Sequence, residues 1–218
     1  MRHAAVMDVD GTLVDTNYLH TTAWWEAFRQ AGHRVPMHAI HASVGLSGQD
    51  LIARLLGEER DTRQDAAISA AHKTLYGSYH ARLPPLPGAR ELVCELAGRH
   101  WQVVLATSAS GRELAALRQA IAADEAIAAT ASADDVQAGK PAPDTVTRAL
   151  ALVDAAAAGS VFIGDTVWDV RAANNARVPC VAVLSGGVAR GKLEEAGAAA
   201  VYEDCAELLE HLDESPFT

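Results

Sequence analysis

Four acids, a lysine, a threonine and a serine stand where they could assemble a site for phosphate chemistry. Asp8 and Asp10 lie in VMDVDGTL (6–13), directly after the apolar run Ala4, Ala5, Val6 and Met7. Thr107 and Ser108 end VVLATS, Lys140 stands in GKPAPD, and Asp165 and Asp169 stand in GDTVWD. A carboxylate that attacks phosphorus must approach a centre already ringed by negative oxygens, so such a site needs cancelling charge. Asp8, Asp10 and Asp165 offer the hard oxygen ligands that Mg²⁺ takes, with waters and a phosphate oxygen completing an octahedron. A turn after Asp8 would redirect Asp10, so that one acid serves as a carboxylate and the other partly through its main-chain carbonyl. Lys140 and the Thr107 hydroxyl can bind other phosphoryl oxygens, and Lys140 also offsets the clustered acids. Asp169, one helical turn after Asp165, is placed to hold a metal-bound water or Lys140.

Each residue taken singly has an ordinary structural explanation. Asp-Gly after a strand is a common turn, Thr ends many strands, and acids favour helix N-termini through the dipole. A single lysine is most often solvated. Their joint occurrence at successive strand ends is what favours a site.

The elements that must position them alternate. Short apolar runs at 4–7, 103–107, 127–131, 160–165, 179–184 and 199–202 predict strands. Helices are predicted at 89–99, 111–122, 144–152, 167–177, 190–196 and 204–213. This order predicts an α/β fold, a Rossmann-like parallel sheet covered by helices, and such sheets carry their sites at the carboxyl ends of strands. Between the first and second strands only helices are predicted. One is capped by Thr16 or Asn17, has Trp24, Ala27, Phe28 and Ala31 on its apolar face, and ends at Gly32. Two more follow at 48–57 and 61–80, before the stiff PPLPG at 84–88. Segments 1–15 and 87–218 are therefore expected to form the core, and 16–86 an inserted helical unit. The last residues, SPFT, are expected to fray.

Composition narrows the class. The chain has 218 residues, 50% of them hydrophobic, enough for a full core, and a net charge of −10, which argues against nucleic acid as a partner. No apolar run is long enough to span a membrane, and the N-terminus enters a strand after one Arg, so neither membrane insertion nor a signal peptide is expected. Three scattered cysteines (Cys94, Cys180, Cys205) give no disulfide framework or CxxC site, and nine histidines show no HExxH spacing. A cytoplasmic protein is expected.

In order and spacing, DVDGT (8–12), the Thr107 strand end, Lys140 and GDTVWD (164–169) resemble the four motifs of the haloacid dehalogenase superfamily, over essentially the whole chain. The resemblance implies Asp8 as a nucleophile that becomes a phosphoaspartate and Asp10 as the general acid/base. It implies phosphate binding by Thr107, Ser108 and Lys140, a metal site of Asp8, Asp10 and Asp165 with Asp169 assisting, and Mg²⁺ as cofactor. Asp10 argues for a phosphatase or phosphomutase, because dehalogenases, whose halide leaving group needs no proton, lack it. The helical insert matches the position of a C1-type cap, which closes over the site and reads the leaving group. DTNYLHTTAWWEAF (15–28) is similar to β-phosphoglucomutase-like and sugar-phosphatase caps, and His20 falls where the mutases keep a histidine controlling proton delivery. The implied partner is a small-molecule phosphate ester, and such enzymes occur as monomers and homodimers.

Departures from the pattern sort the alternatives. The mutases place an Arg where this chain has Gly48, which weakens a phosphomutase reading. Lys73, the only lysine in the insert, stands away from the position of a phosphonatase Schiff-base lysine. GGVARGK (186–192) matches most of a P-loop, but Leu193 replaces the Ser/Thr that would hold Mg²⁺. It reads better as a glycine-rich connection with its backbone free near the active edge. A receiver-like phosphoacceptor domain has its acids in another order and no insert. Trp24 and Trp25 are expected to pack rather than stack on a substrate.

Overall fold

Apolar runs too short for helices build the sheet. In the computed structural model, which describes residues 2–135 and 138–217, they form β1 (Ala4–Met7), β2 (Gln102–Ala106), β3 (Ile127–Ala131), β4 (Val161–Gly164), β5 (Cys180–Val183) and β6 (Ala200–Tyr202). All pair in parallel, in the order β3-β2-β1-β4-β5-β6, with Val6 at the centre opposite Val104 and Phe162. Every residue of β1, β4 and β5 is buried, as expected for strands covered on both faces. Side chains alternate between two cores. Ala5, Met7, Leu105, Ile163 and Val181 face one side. Val6, Val104, Ala106, Phe162 and Ala182 face the other.

The first core is closed by α5 (Ala89–Gly98), α6 (Gly111–Ile121) and α10 (Cys205–Glu210), the second by α7 (Asp144–Leu152) and α8 (Val167–Asn175), with α9 (Arg190–Glu195) packed beside them. Because all strands run the same way, Asp8, Thr107 and Asp165 emerge together at one edge.

Between β1 and β2 lie α1 (Asn17–Gln30), α2 (Met37–His41), α3 (Gly48–Leu56) and α4 (Asp65–Gly77). They share an apolar centre in which Trp24, Phe28, Ile40, Leu51, Ile52 and Ile68 meet, with Trp168 of α8 closing it from the sheet side. The chain enters and leaves this unit through adjacent segments: Asp15 N–H donates to Pro84 O (3.0 Å) and Leu86 N–H to Leu13 O (2.9 Å). Trp24 packs as expected, buried and stacked on His72 at 3.9 Å.

Two expectations are corrected. The one-turn helix α2 was not foreseen; with a single buried side chain, Ile40, it has no periodicity to read. The C-terminal SPF does not fray: Phe217 is buried, edge-on to Trp101 at 5.0 Å, and Ser215 is buried beside it. Thr218 lies outside the described residues. Among the described residues, no helix is long and apolar enough to cross a membrane.

Candidate active site

The turn after β1 separates its two acids. Asp8 continues the strand, its N–H donating to Ile163 O (2.9 Å), and the chain then folds back with Gly11 N–H donating to Val14 O (2.8 Å). Gly11 has φ +77°, a left-handed value that favours glycine, and a Cβ there would stand 2.5 Å from Asp165 Oδ2. Asp10 consequently turns its carboxylate away from Asp8's partners. Its Oδ1 accepts from Thr16 Oγ1 (2.6 Å) and lies 3.2 Å from His20 Nε2.

Asp8 faces Lys140, which donates to its Oδ1, and Lys140 Nζ also lies 2.6 Å from Asp169 Oδ1. All three side chains are buried. Asp169 Oδ2 accepts from Thr166 N–H (3.0 Å) and from the Thr166 hydroxyl, closing a capping box at the start of α8. Among the described residues, Asp165 has no cation of its own. Its oxygens accept from Thr12 Oγ1 (3.0 Å) and Asn17 Nδ2 (2.7 Å). Thr107 is buried; its hydroxyl oxygen accepts from Ala109 N–H (3.0 Å), which leaves its O–H free to donate into a cavity of about 380 Å³ shared with Ser108 and Lys140.

Carboxylate oxygens of Asp8, Asp165 and Asp169 lie within 4.8 Å of one another. Three buried carboxylates with one lysine between them leave negative charge in excess, and this is visible in their protonation. Burial, opposed by Lys140 but reinforced by Asp169 and Asp10, raises Asp8 from 3.8 to about 7. Burial and the charges of Asp169 and Asp8 push Asp165 well above the carboxylate range. Lys140 is depressed by burial but held above the ordinary lysine range by Asp169 and Asp8. A divalent cation with hard-oxygen preference would relieve this set, so the donors fit Mg²⁺. Both oxygens of Asp169 are already engaged, by Lys140 and Thr166. The carboxylate of Asp10 belongs to a separate set, with Thr16 and His20, which leaves its main-chain carbonyl for the expected role at a metal.

Asp10 has the opposite electrostatics to Asp8. Burial pushes it up, but the hydrogen bond and charge of His20, together with Thr16, bring it below its ordinary value. His20 is depressed by burial yet raised overall by Asp10, Glu113 and Asp8. With His20 protonated both ring nitrogens donate, Nε2 to Asp10 and Nδ1 to His72 Nε2 at 3.1 Å. His72 is the matching neutral acceptor, pushed down to about 2 by burial and by the charges of His20 and Lys73.

These groups open on a chamber of about 290 Å³ between the sheet edge and the helical unit. Asp8, Asp10, Lys140, Ser108 and Glu113 form its sheet side, and His20, Gln49, Ser69 and Lys73 its other wall. Lys73, the insert's one lysine, is among the groups that line the chamber. Gly48 lies against Trp24, where a Cβ would meet the indole at 3.4 Å.

Sequence reasoning missed four contributors. Thr16 and Asn17 read as helix caps, yet Thr16 makes no capping hydrogen bond at α1; the two side chains go to Asp10 and Asp165 instead. Thr12 and His72 gave no signal beyond their proximity to the acids and to Tyr76. The GGVARGK backbone is not free: Gly186 O accepts from Asn17 Nδ2 (3.2 Å) and lies 2.9 Å from His41 Nε2. A Cβ at Gly186 would stand 1.7 Å from Asp165 Oδ2, so only glycine lets the loop close over that acid.

A parallel sheet with a helical insert after its first strand, and acids with a lysine gathered at one strand edge, define a hydrolase of the haloacid dehalogenase-like family. The chain belongs to it: the family model, described as haloacid dehalogenase-like hydrolase, matches residues 3–177. It is an enzyme. A crystal structure of a hydrolase from Pseudomonas syringae is 34% identical and superposes with a TM-score of 0.92, covering 98% of this chain and 99% of that one. CbbY from Rhodobacter sphaeroides, solved in complex with phosphate, is 27% identical with a TM-score of 0.79, over 98% of this chain and 100% of that one. The phosphoglycolate phosphatase of Rhodospirillum rubrum is 27% identical over 95% of this chain and 90% of that protein.

Proposed function

We propose that the chain is a Mg²⁺-dependent phosphatase of a small phosphorylated metabolite, working through a phosphoaspartate on Asp8, with residues 16–86 as its cap. The observation that carries this reading is the split of two neighbouring acids into different environments. Asp8 faces a lysine and two further acids, and Asp10 faces a histidine and a threonine. Two carboxylates with separated pKa behaviour are suited to separate duties.

In the first half-reaction an Asp8 oxygen attacks phosphorus and the bond from phosphorus to the ester oxygen breaks. The departing alkoxide takes a proton from the Asp10–His20 pair, which holds one between them in the folded protein. In the second half, Asp10 accepts the proton of a water that attacks the phosphoaspartate, freeing Asp8 and phosphate. Lys140 holds the Asp8 carboxylate in place, and Thr107 and Ser108 donate to phosphoryl oxygens. Asp8 and Asp165, assisted by Asp169, would hold Mg²⁺, which when bound supplies positive charge to the phosphoryl oxygens. Excluding water during the first half-reaction is the work of the cap wall.

The contact between His20 and Asp10 also suits a sugar phosphomutase. Against it, Gly48 beside Trp24 offers no cation for a second phosphate. The test is phosphate release from a panel of metabolite monoesters with Mg²⁺, with Asp8→Asn as the blank. Release that stops with EDTA and returns with Mg²⁺ is expected. Isomer formation without free phosphate would favour the mutase, and activity retained by Asp8→Asn would overturn the nucleophile.

A further inference from the structure

Six charged groups face the chamber, and the chemistry above employs only Asp8, Lys140, Asp10 and His20. Glu113 and Lys73 remain. Glu113 lies in the first turn of α6, the helix that follows the Thr107–Ser108 strand end. A first-turn acid ordinarily faces solvent and is stabilised by the helix dipole. This one is turned inward, with its side chain only 21% exposed, and its nearest cation, His20 Nε2, stands 3.9 Å from Oε1. Among the described residues it accepts no hydrogen bond. Burial raises its protonation range, while His20 and Lys73 act in the other direction.

A carboxylate held this way lacks donors, and a desolvated acceptor without a partner is costly. Further donors must come from water or from a ligand in the chamber. Hydroxyl groups would satisfy it; a second anion on the substrate would meet a like charge at close range. Lys73 is the other charge left over in the chamber, with Ser69 and Gln49 as uncharged hydrogen-bonding groups.

We propose that Glu113 is a specificity-determining residue that accepts hydrogen bonds from the hydroxyls of a sugar or polyol monophosphate and turns away monoesters with an anionic leaving group. The inference rests on the phosphatase reading, and it separates this chain from relatives named for phosphoglycolate.

The experiment measures kcat/KM with Mg²⁺ for three substrate kinds: sugar and polyol monophosphates, 2-phosphoglycolate, and p-nitrophenyl phosphate as the common reference. Wild type, Glu113→Gln and Glu113→Ala are compared. Wild type is expected to prefer the hydroxylated esters. In both variants the best of these should fall about 10- to 100-fold, the value of a hydrogen bond to a charged acceptor, while 2-phosphoglycolate rises. Opposite movements exclude a merely structural role, which would shift both substrates together. A wild type that prefers 2-phosphoglycolate, or a ratio between the two unchanged by the substitutions, overturns the assignment of Glu113 and leaves the phosphatase standing. A wild type that releases phosphate from no ester, the aryl reference included, sinks both.

Discussion

Replacing Asp8 by Asn should make the metal-free protein more stable. Asp8 is one of three acids crowded around one lysine, and burial is the largest influence raising it from 3.8 to about 7. A carboxyl whose folded pKa lies above its unfolded value binds its proton more tightly when folded. The stabilisation is fully present below about pH 4 and is lost as pH rises through 7. Three units at about 1.4 kcal/mol each set a ceiling of about 4 kcal/mol on the strain carried by wild type above pH 7. Neighbouring acids take up part of it, so about 2–4 kcal/mol is the expected gain for Asp8→Asn at pH 8. For a chain of this size that is a rise in Tm of roughly 5–10 °C. The amide oxygen can still accept from Lys140, and Lys140 keeps Asp169, so no buried cation is orphaned. The assay is thermal unfolding of both proteins in EDTA from pH 4 to 8. The gap should vanish near pH 4 and widen toward pH 8, and millimolar Mg²⁺ should narrow or reverse it, because wild type has the fuller carboxylate set. A variant no more stable than wild type at pH 8 in EDTA, or a gap that ignores pH, would refute the charge-excess argument.

Thr16→Val removes a 2.6 Å hydrogen bond to Asp10 and should lower kcat about 10- to 100-fold for esters with poor leaving groups, with a smaller loss for aryl phosphates; equal losses on both would detach Thr16 from proton transfer. His72 is pushed down to about 2 in the fold, so its contribution to stability is present above pH 6.5 and is lost as pH falls below it, by at most about 1.4 kcal/mol per unit. His72→Phe retains a ring against Trp24 and should lose less stability than wild type between pH 7 and 5, as read by urea unfolding at both values. Phe217→Ala should cost about 3 kcal/mol or more if the buried C-terminal ring is part of the core, and a melting temperature unchanged by the substitution would return that segment to the frayed end its position suggested.

The strands were legible because each is a short apolar run with both faces buried, and strand ends are where a parallel sheet must gather its polar residues. Asp8, Lys140, Asp165 and Asp169 come together for that reason. What the chain order could not disclose is how a side chain is spent. Thr16 and Asn17 have the residue types of helix caps, Glu113 has the type and position of a dipole acid, and Gly186 and Gly191 have the spacing of a phosphate loop. Each carries a local explanation sufficient in one dimension, and only the closure of α1, α6 and the β5–α9 loop over one edge gives it another. Phe217 failed in the same way, since a terminal position says nothing about the groove beside Trp101 that receives it.

The origins of the contacts on the two acids differ in a way that bears on how the molecule works. Asp8 is held by Lys140 and by the field of Asp169, both from the sheet side, whereas Asp10 is held by Thr16 and His20 at the start of α1. His20 is held in turn by His72 of α4 and stacks on Tyr76 at 3.8 Å. One acid therefore takes its partners from the edge of the sheet, and the other from the helical unit whose apolar centre is Phe28, Ile52 and Ile68. Asn17, next to Thr16, reaches Asp165, so one turn of α1 touches both sets of acids. A displacement of the helical unit would disturb the partners of Asp10 while leaving the pairing of Asp8 with Lys140 intact. Proton transfer would then depend on the seating of the helices, and the pairing of Asp8 with Lys140 on the sheet edge. That division follows from a single turn at Gly11, which aims two acids, two residues apart, at partners from different parts of the molecule.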